Sequence, residues 1–145
     1  MRVIVQRVKQ ASVKVNHKEV ASIKKGYLLY IGISHTDSEK IVKKVANKVK
    51  NLRIFEDQNQ KMNLNLQQVN GSILAVSQFT LYGDTKGNNR PSFIKAARPE
   101  IAKPLYEKFI RALSEDFCVK NGIFQEDMEI LSINDGPVTI IIEID

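Results

Sequence analysis

The sequence predicts an α+β fold in which a mainly antiparallel sheet curls into a barrel, with two helices packed against it. About seven or eight short stretches alternate between polar and apolar residues or are continuously apolar, as strands do. Two longer stretches, near residues 41–52 and 101–117, repeat apolar residues at helical spacing. This grouping of strands and helices favours α+β packing, and 145 residues suit one domain spanning residues 1–145.

Four strands are expected in the first quarter of the chain. Residues 2–8 and 11–15 each alternate, which predicts strands with one protected face. The polar residues 16–19 form a turn that leads into a third strand at residues 20–23. Residues 27–33 are almost continuously apolar and predict a central strand of the sheet.

The two helices have different start signals. Residues 36–39, Thr-Asp-Ser-Glu, have the spacing of a capping box and predict a helix whose apolar face extends to Leu52. The first helix is expected to pack on the sheet. A second helix is expected to begin near Ile101, with Pro104 in its first turn, and to stop at residues 121–122.

The remaining strands are expected at residues 52–55, 72–81, 128–133 and 138–144. The strand that begins at residue 72 is apolar from Ile73 to Val76 and then continues into small hydroxyl and amide side chains. A strand of this kind can hold functional groups at the edge of a rigid sheet. An ordinary strand followed by a β-turn is the alternative interpretation.

The composition limits the class of protein. Hydrophobic residues make up 43% and charged residues 26% of the chain, as in globular domains, and no apolar run is long enough to span a bilayer. The alternating N-terminus does not resemble a signal peptide, and a single cysteine excludes an internal disulfide framework. We therefore expect a cytoplasmic protein with no membrane partner, in which Cys118 is a packed residue.

The net charge of +6 suits a partner that carries phosphates, because lysine and arginine release counterions when they bind nucleic acid. Residues 82–89 form a loop rich in Gly, Asn and Lys. Lys86 and Arg90, in and beside this loop, are the basic residues that we expect to contact RNA phosphates. A purely solvated role is the alternative for both.

Conventional side-chain catalysis finds little support in this sequence. The two histidines, His17 in a turn and His35 before a helix, lie in no Ser-His-Asp or Cys-His pattern. There is no metal-ligand spacing, Walker loop or dinucleotide fingerprint, so we expect no metal and no cofactor. Backbone N–H groups remain, and the passage through Phe79 and Thr80 could aim such groups at the negative charge that develops during ester hydrolysis.

Several motifs resemble the D-aminoacyl-tRNA deacylase family. Three motifs carry most of the resemblance: Ser-Gln-Phe-Thr-Leu at residues 77–81, Arg-Pro-Ser-Phe at 90–93 and Asn-Asp-Gly-Pro-Val-Thr at 134–139. Residues 1–8, 52–57 and 61–64 resemble the same family. The motifs occur in the family's order along essentially the whole chain.

The resemblance implies hydrolysis of the ester bond of D-aminoacyl-tRNA, and of mischarged glycyl-tRNA, as a chiral proofreading step. The implied catalytic residues are Ser77, Gln78, Phe79 and Thr80. Main-chain groups of this stretch would hold the ester, while the ribose 2′-hydroxyl of the substrate assists the attack of water. The aminoacylated end of tRNA is the implied partner, and no metal or cofactor is implied.

The resemblance also implies a homodimer. Gly136 and Pro137, joined by a cis peptide bond and followed by Val138 and Thr139, would enter the active site of the other subunit and grip the α-amino group. A D side chain would then point outward, whereas an L side chain would collide with the protein. Arg7 resembles the arginine that steadies this loop through its planar donor fork.

Phe93 and Met128 are the expected pocket-lining residues, with core packing as the alternative for each. The chain departs from the family at the pocket rim. Small residues usually precede the Asp-Met pair in the family, whereas Gln125 and Glu126 precede that pair here. We therefore expect an altered rim.

Two other functions remain open. A non-catalytic RNA-binding module would use the same basic loop and sheet without turnover. A metal-free esterase acting on small molecules would use the Thr80 hydroxyl as its nucleophile, although nothing nearby in the sequence activates that hydroxyl.

Overall fold

Eight strands, two α-helices and one 3-10 turn make up the fold, in a computed structural model that describes residues 1–145. In chain order they are β1 (Arg2–Val15), β2 (Lys18–Ile23), β3 (Gly26–Gly32), α1 (Glu39–Asn51), β4 (Phe55–Glu56), β5 (Met62–Leu64), β6 (Ser72–Ser77), the 3-10 turn (Phe79–Tyr82), α2 (Pro99–Ser114), β7 (Val119–Asn121) and β8 (Glu129–Glu143). Neither helix combines the length and the apolar character that crossing a membrane requires.

Strand β1 is the centre of the main sheet. It pairs antiparallel with β2, β3 and β8, and the sheet continues from β3 to β6 and β7 through parallel pairs. The first half of β1 pairs with β3 and the second half with β2, while β8 follows β1 along most of its length. This topology confirms the predicted α+β class, with a mainly antiparallel, barrel-like sheet and two helices.

The larger core lies between the sheet and the two helices. Val3 and Val5 alternate with half-exposed residues along β1 and are fully buried, as the alternation predicts. The buried stripe of α1 consists of Val42, Val45, Ala46 and Val49, and that of α2 consists of Ala102, Leu105, Tyr106, Phe109 and Leu113. Burying a large apolar side chain stabilises the fold by about 1.5–3 kcal/mol, which is what holds both helices to the sheet.

The start of α1 differs from the capping-box prediction. Its N-cap residue is Ser38, which makes no side-chain capping hydrogen bond. The Asp37 carboxylate accepts hydrogen bonds from the Ser34 N–H at 2.7 Å and from the buried Met1 ammonium at 2.5 Å. The Thr36 hydroxyl contacts the Ser34 hydroxyl at 2.8 Å. The Glu39 carboxylate pairs with Lys108, so neither member of the expected box caps the helix and the capping-box prediction is wrong.

Helix α2 begins and ends earlier than expected. It starts at Pro99 and ends at Ser114, so Pro104 lies beyond its first turn, where the missing N–H costs the helix one hydrogen bond. The chain then forms β7, parallel to β6, rather than continuing as a helix to residues 121–122. Pairing with a strand that is distant in sequence overrides the helical periodicity here.

Three strand predictions need correction. The predicted strands at 2–8 and 11–15 are one strand, β6 ends at Ser77 rather than at residue 81, and β8 spans both predicted strands at 128–133 and 138–144. In each case the pairing with a neighbouring strand sets the ends. Residue periodicity does not reveal that pairing.

Two smaller predictions are also wrong. The strand expected at residues 52–55 is displaced to β4, Phe55–Glu56. Cys118 is exposed rather than packed. Its carbonyl accepts a hydrogen bond from the Ile73 N–H at 2.9 Å, so its main chain belongs to the sheet while its side chain faces outward.

Candidate active site

A cavity of about 630 Å³ lies where the parallel strands β3 and β6 end. Ser77, Gln78, Phe79 and Thr80 line this cavity, together with Met128. The carboxyl ends of parallel strands are a favoured place for ligand sites, because loops diverge there. The structure therefore brings the four predicted catalytic residues together with one of the two predicted pocket-lining residues.

The main chain leaves the sheet at this cavity. The Gln78 N–H donates to the Ile31 carbonyl of β3 at 2.7 Å, which is the last hydrogen bond of the parallel ladder. The next residues form the 3-10 turn, in which the Leu81 N–H donates back to the Gln78 carbonyl at 3.3 Å. The position of Gln78 is thus set by main-chain hydrogen bonds on both sides of it.

Two backbone N–H groups at the start of the 3-10 turn lack an intramolecular acceptor. Phe79 and Thr80 occupy its first two positions, where an N–H has no carbonyl inside the turn to bond. Neither N–H donates to a carbonyl of a neighbouring loop or turn. Both residues line the cavity, and unpartnered N–H groups are the kind of donor that stabilises an oxyanion.

The cavity contains no imidazole, thiol or cationic side chain among its 17 lining residues. The Gln78 side-chain amide donates to the Thr80 hydroxyl at 2.5 Å, so an amide rather than a base contacts that hydroxyl. The Tyr106 hydroxyl donates to the Ala75 carbonyl at 3.2 Å, and burial raises the pKa of Tyr106, so it stays protonated at neutral pH. No group of three or more His, Cys, Asp or Glu side chains could hold a metal ion.

The lining also includes residues that were not predicted as site residues from the sequence, Tyr106 and Asp127 among them, whereas Gln125 and Glu126 were expected at the rim and do line the cavity. Tyr106 falls on the apolar stripe of α2, so periodicity alone assigns it to the core. Gln125 adopts a φ of 66°, in the left-handed region that favours glycine, and the exposed Glu126 and Asp127 carboxylates follow it on the rim. Neither carboxylate forms an ion pair.

An exposed aromatic pair stands beside the cavity. Phe93 does not line the cavity, but its ring meets the Phe79 ring edge-on, with 5.2 Å between centroids. Phe79 is 57% exposed, which is unusual for a large apolar side chain. Lys86 and Arg90 are exposed in and beside the preceding loop, and neither forms an ion pair.

The second predicted part of the site is a loop within β8. Asn134 and Thr139 lie five positions apart in β8, yet they pair with β1 residues that are only two positions apart. The residues between them therefore leave the sheet, as the extra residues of a bulge do. The peptide bond between Gly136 and Pro137 in this loop is cis.

Arg7 is a buried residue that ties this loop to the core. Its Nε donates to the Asp135 carbonyl at 3.0 Å and its Nη1 to the Ile54 carbonyl at 2.7 Å. The carboxylates of Asp135 and Glu56 lie 3.6 and 3.7 Å from the guanidinium and balance its charge. The planar fork thus holds two segments that are distant in sequence.

The loop is also packed from within. The Asn134 side chain accepts a hydrogen bond from the Val138 N–H at 3.0 Å and donates to the Thr139 hydroxyl at 3.1 Å. Gly136 has a φ of +133°, and a Cβ at this position would lie 2.7 Å from Cγ2 of Val138. No other residue type fits there without displacing a neighbour.

Within one chain, the loop and the cavity lie apart. Arg7 pairs with Tyr27 of β3, whereas Gln78 is bound to Ile31, four residues further along the same strand. Four strand residues span about 13 Å. Neither Arg7 nor residues 136–139 line the cavity, so a single chain does not bring the two predicted parts of the site together.

The sequence matches the model of the family described as D-Tyr-tRNA(Tyr) deacylase over residues 4–143. The chain belongs to this family. Relatives named D-aminoacyl-tRNA deacylase from Fusobacterium nucleatum subsp. nucleatum and Exiguobacterium sp. are 55% and 51% identical over 144 residues, covering 99% of this chain and 95% and 98% of theirs. The family prediction is therefore confirmed, and with it the expectation of an enzyme.

Two solved structures share the fold. One, titled c-Myc DNA Unwinding Element Binding Protein, has a TM-score of 0.95 and 36% identity, covering 100% of this chain and 99% of that chain. Another, described as a probable eukaryotic D-amino acid tRNA deacylase, has a TM-score of 0.83 and 20% identity, covering 99% and 98%. The second likeness concerns the fold alone.

Proposed function

We propose that this protein hydrolyses the ester bond of D-aminoacyl-tRNA and releases the free D-amino acid and tRNA. The observation that carries the proposal is that Phe79 and Thr80, which line the cavity of a member of this family, both have unpartnered backbone N–H groups. A cavity of about 630 Å³ is in the usual range for a small-molecule site, which suits the aminoacylated terminal adenosine. The names of the relatives point to the same substrate class.

In the proposed reaction, water attacks the carbonyl carbon of the ester, and negative charge develops on the carbonyl oxygen. The Phe79 and Thr80 N–H groups stabilise that charge, and the loss of one such donor costs about 10²–10³-fold in kcat. Because the cavity supplies no imidazole, the ribose 2′-hydroxyl of the substrate takes part in the proton transfer from water to the leaving 3′-oxygen. Ser77 and Gln78 position the adenosine and the ester.

We further propose that a second subunit completes the site in a homodimer. The loop with Gly136 and Pro137 lies about 13 Å along β3 from the cavity of its own chain, whereas a two-fold contact would set each loop against the cavity of the other subunit. The exposed apolar side chain of Ile141 on β8, outside the lining of any groove described below, offers part of a surface for such a contact. Arg7 and the Asn134 side chain keep the loop in one shape.

Chirality would be selected by the main chain of this loop. The loop residues Gly136, Pro137, Val138 and Thr139 would hold the α-amino group so that a D side chain points outward and an L side chain collides with protein. A filter of this kind tolerates any D side chain and also glycine, so mischarged glycyl-tRNA is proposed as a second substrate. A steric collision with the main chain rejects the L substrate more strongly than a poor fit in a hydrophobic pocket does. In such a pocket, one extra methylene group changes discrimination by only about 1–3 kcal/mol.

The remaining proposals concern the surroundings of the cavity. Met128 lines the pocket, and Phe93 supports it from the edge through its contact with Phe79. Lys86 and Arg90 contact tRNA phosphates near the acceptor end. The chain acts as one domain in the cytoplasm, where its substrates are made.

Incubation with D-tyrosyl-tRNA, L-tyrosyl-tRNA and glycyl-tRNA tests the proposed activity. We expect the D-tyrosyl and glycyl esters to be hydrolysed and the L-tyrosyl ester to persist. Protection of all three esters would support the non-catalytic RNA-binding module instead. Equal loss of both tyrosyl esters would exclude the chiral filter.

The role of the substrate hydroxyl is tested by replacing the ribose 2′-hydroxyl of the terminal adenosine with hydrogen. We expect hydrolysis of the 3′-linked D-tyrosyl ester to be lost, while binding of the modified tRNA is unchanged. Full activity on the deoxy substrate would exclude substrate assistance and leave the Thr80 hydroxyl as the alternative nucleophile.

Mixing two defective variants tests whether the loop acts across subunits. Thr80→Pro removes an N–H in the cavity, and Gly136→Ala distorts the loop, so each homodimer is expected to be defective. In a mixed dimer, one site combines an intact cavity with an intact loop, and activity on D-tyrosyl-tRNA should return. Failure of mixed dimers to recover activity would show that the loop acts within its own chain.

A further inference from the structure

A second groove, of about 820 Å³, lies at the opposite end of β6 from the cavity. Residues of β1, β2, β7 and β8 line it, together with Ser72 at the start of β6. Lys24, Lys25 and Lys120 line this groove, and its only carboxylate is that of Glu19. The groove is therefore positively charged, whereas the cavity has no cationic lining residue.

The lysine and serine side chains that line this groove form no ion pair or hydrogen bond within the protein. None of its three lysines forms an ion pair, whereas Lys50 and Lys108 elsewhere pair with carboxylates. Four serines line the groove with hydroxyls that make no hydrogen bond within the chain: Ser12, Ser22, Ser72 and Ser132. Free ammonium groups beside free hydroxyl donors are the groups with which proteins contact nucleic-acid phosphates.

The groove also adjoins the loop that contains Gly136. Ser132 and Ile133 line the groove, and Asn134, at which that loop begins, follows them directly in β8. If the loop lies against the other subunit's cavity, the groove of the same chain flanks that cavity. RNA whose 3′ end enters the cavity would then have its backbone beside the groove.

We propose that this groove binds backbone phosphates of the tRNA whose 3′ end occupies the cavity of the other subunit. The inference rests on the proposed function and adds a tRNA-binding surface to it. Phosphate contacts fix the register and orientation of a nucleic acid but read no sequence. They therefore suit an enzyme that must accept many tRNAs.

A double variant, Lys24→Gln with Lys120→Gln, tests the groove by fluorescence anisotropy with deacylated tRNA. Lys25 is left in place because its Nζ lies 5.5 Å from the centroid of the buried Phe55 ring. We expect the affinity at roughly 50 mM salt to fall about five- to tenfold, and the slope of log K against log salt to become shallower by about 2.

Lys44→Gln with Lys48→Gln is the matched control. Both lysines are exposed on α1 outside the groove, neither forms an ion pair, and the change in net charge is the same. We expect this control to change the salt slope by less than about half as much. Equal effects of the two double variants would overturn the proposal, because net charge alone would then explain the binding.

A kinetic comparison separates the groove from the chemistry. On D-tyrosyl-tRNA, the Lys24/Lys120 variant should raise KM about five- to tenfold with kcat unchanged. On D-tyrosyl-adenosine, which has no RNA backbone, the variant should match the wild type. An unchanged KM for tRNA would overturn the proposal. If the wild type hydrolyses neither ester, the proposed function fails, while the anisotropy measurement still decides whether the groove binds RNA.

Discussion

The two parts of the candidate site are held in place by different kinds of interaction. Residues 77–80 continue a buried parallel strand, and main-chain hydrogen bonds to β3 and within the 3-10 turn position them. The loop at residues 135–138 has left the sheet, and the side chains of Arg7 and Asn134 position it. We therefore expect the cavity to tolerate changes of side chain, whereas the loop depends on a few individual side chains.

The largest effect is expected for Arg7→Ala. The change removes a buried guanidinium and leaves the Asp135 and Ile54 carbonyls without their donor, so we expect the free energy of unfolding to fall by about 3–4 kcal/mol. Urea unfolding measures it. Arg7→Lys keeps the charge but not the fork, and should lose an intermediate amount. A loss below about 1 kcal/mol for the alanine variant would show that main-chain bonds suffice for the loop.

The next effect concerns Gly136→Ala. The added Cβ would lie 2.7 Å from Cγ2 of Val138 at a φ of +133°, and we expect a loss of about 2–3 kcal/mol in urea unfolding. Gly87→Ala is the matched control, because Gly87 has a φ of +79° but nothing lies within 4 Å of its added Cβ. This control should lose only about 1 kcal/mol. Equal losses would mean that the loop yields to the new methyl group.

A smaller effect is expected for Asn134→Ala. The change removes the acceptor of the Val138 N–H and should lower the free energy of unfolding by about 1 kcal/mol. Asn88→Ala, in an exposed loop, should leave stability unchanged within about 0.5 kcal/mol, as surface substitutions usually do. A thermal unfolding series compares the two, and identical midpoints would contradict a role for the Asn134 side chain in holding the loop.

The smallest effect is expected for Thr80→Ala. This variant tests whether the cavity acts through its main chain rather than through its side chains. Its N–H remains in the cavity, so we expect kcat for D-tyrosyl-tRNA to fall less than about threefold in single-turnover hydrolysis. Thr80→Pro removes that N–H and should cost about 10²–10³-fold. Abolished activity in Thr80→Ala, with the fold intact, would favour a hydroxyl nucleophile over the oxyanion mechanism.

Elements with a strong local pattern were predictable from the sequence. The apolar run from Ile73 to Val76 is the interior of β6, and the stripe from Val42 to Val49 is the buried face of α1. The motifs likewise located the residues that line the cavity. The strand, the helix face and the motifs all depend on residues that are close in sequence, where periodicity and residue type carry the information.

Features that depend on distant partners were not predictable. Strand β7 exists because Val119 pairs with Ile73, and the same stretch by itself continues a helical pattern. The groove lined by Lys24, Lys25 and Lys120 has no signature in the sequence, because Lys24 and Lys120 are far apart in the chain and meet only where β2 and β7 reach the same end of the sheet. The early end of β6 depends on the 3-10 turn, which has no periodic signature of its own.

Cys118 has a practical consequence. It is the only cysteine of the chain, it is exposed, and it lines the groove that contains Lys24, Lys25 and Lys120. A maleimide dye or nitroxide attached to the native sequence would therefore report from a single defined position, without the background that other thiols create. Its emission or spectral line shape would register docking of a nucleic acid in real time, before any bond is broken.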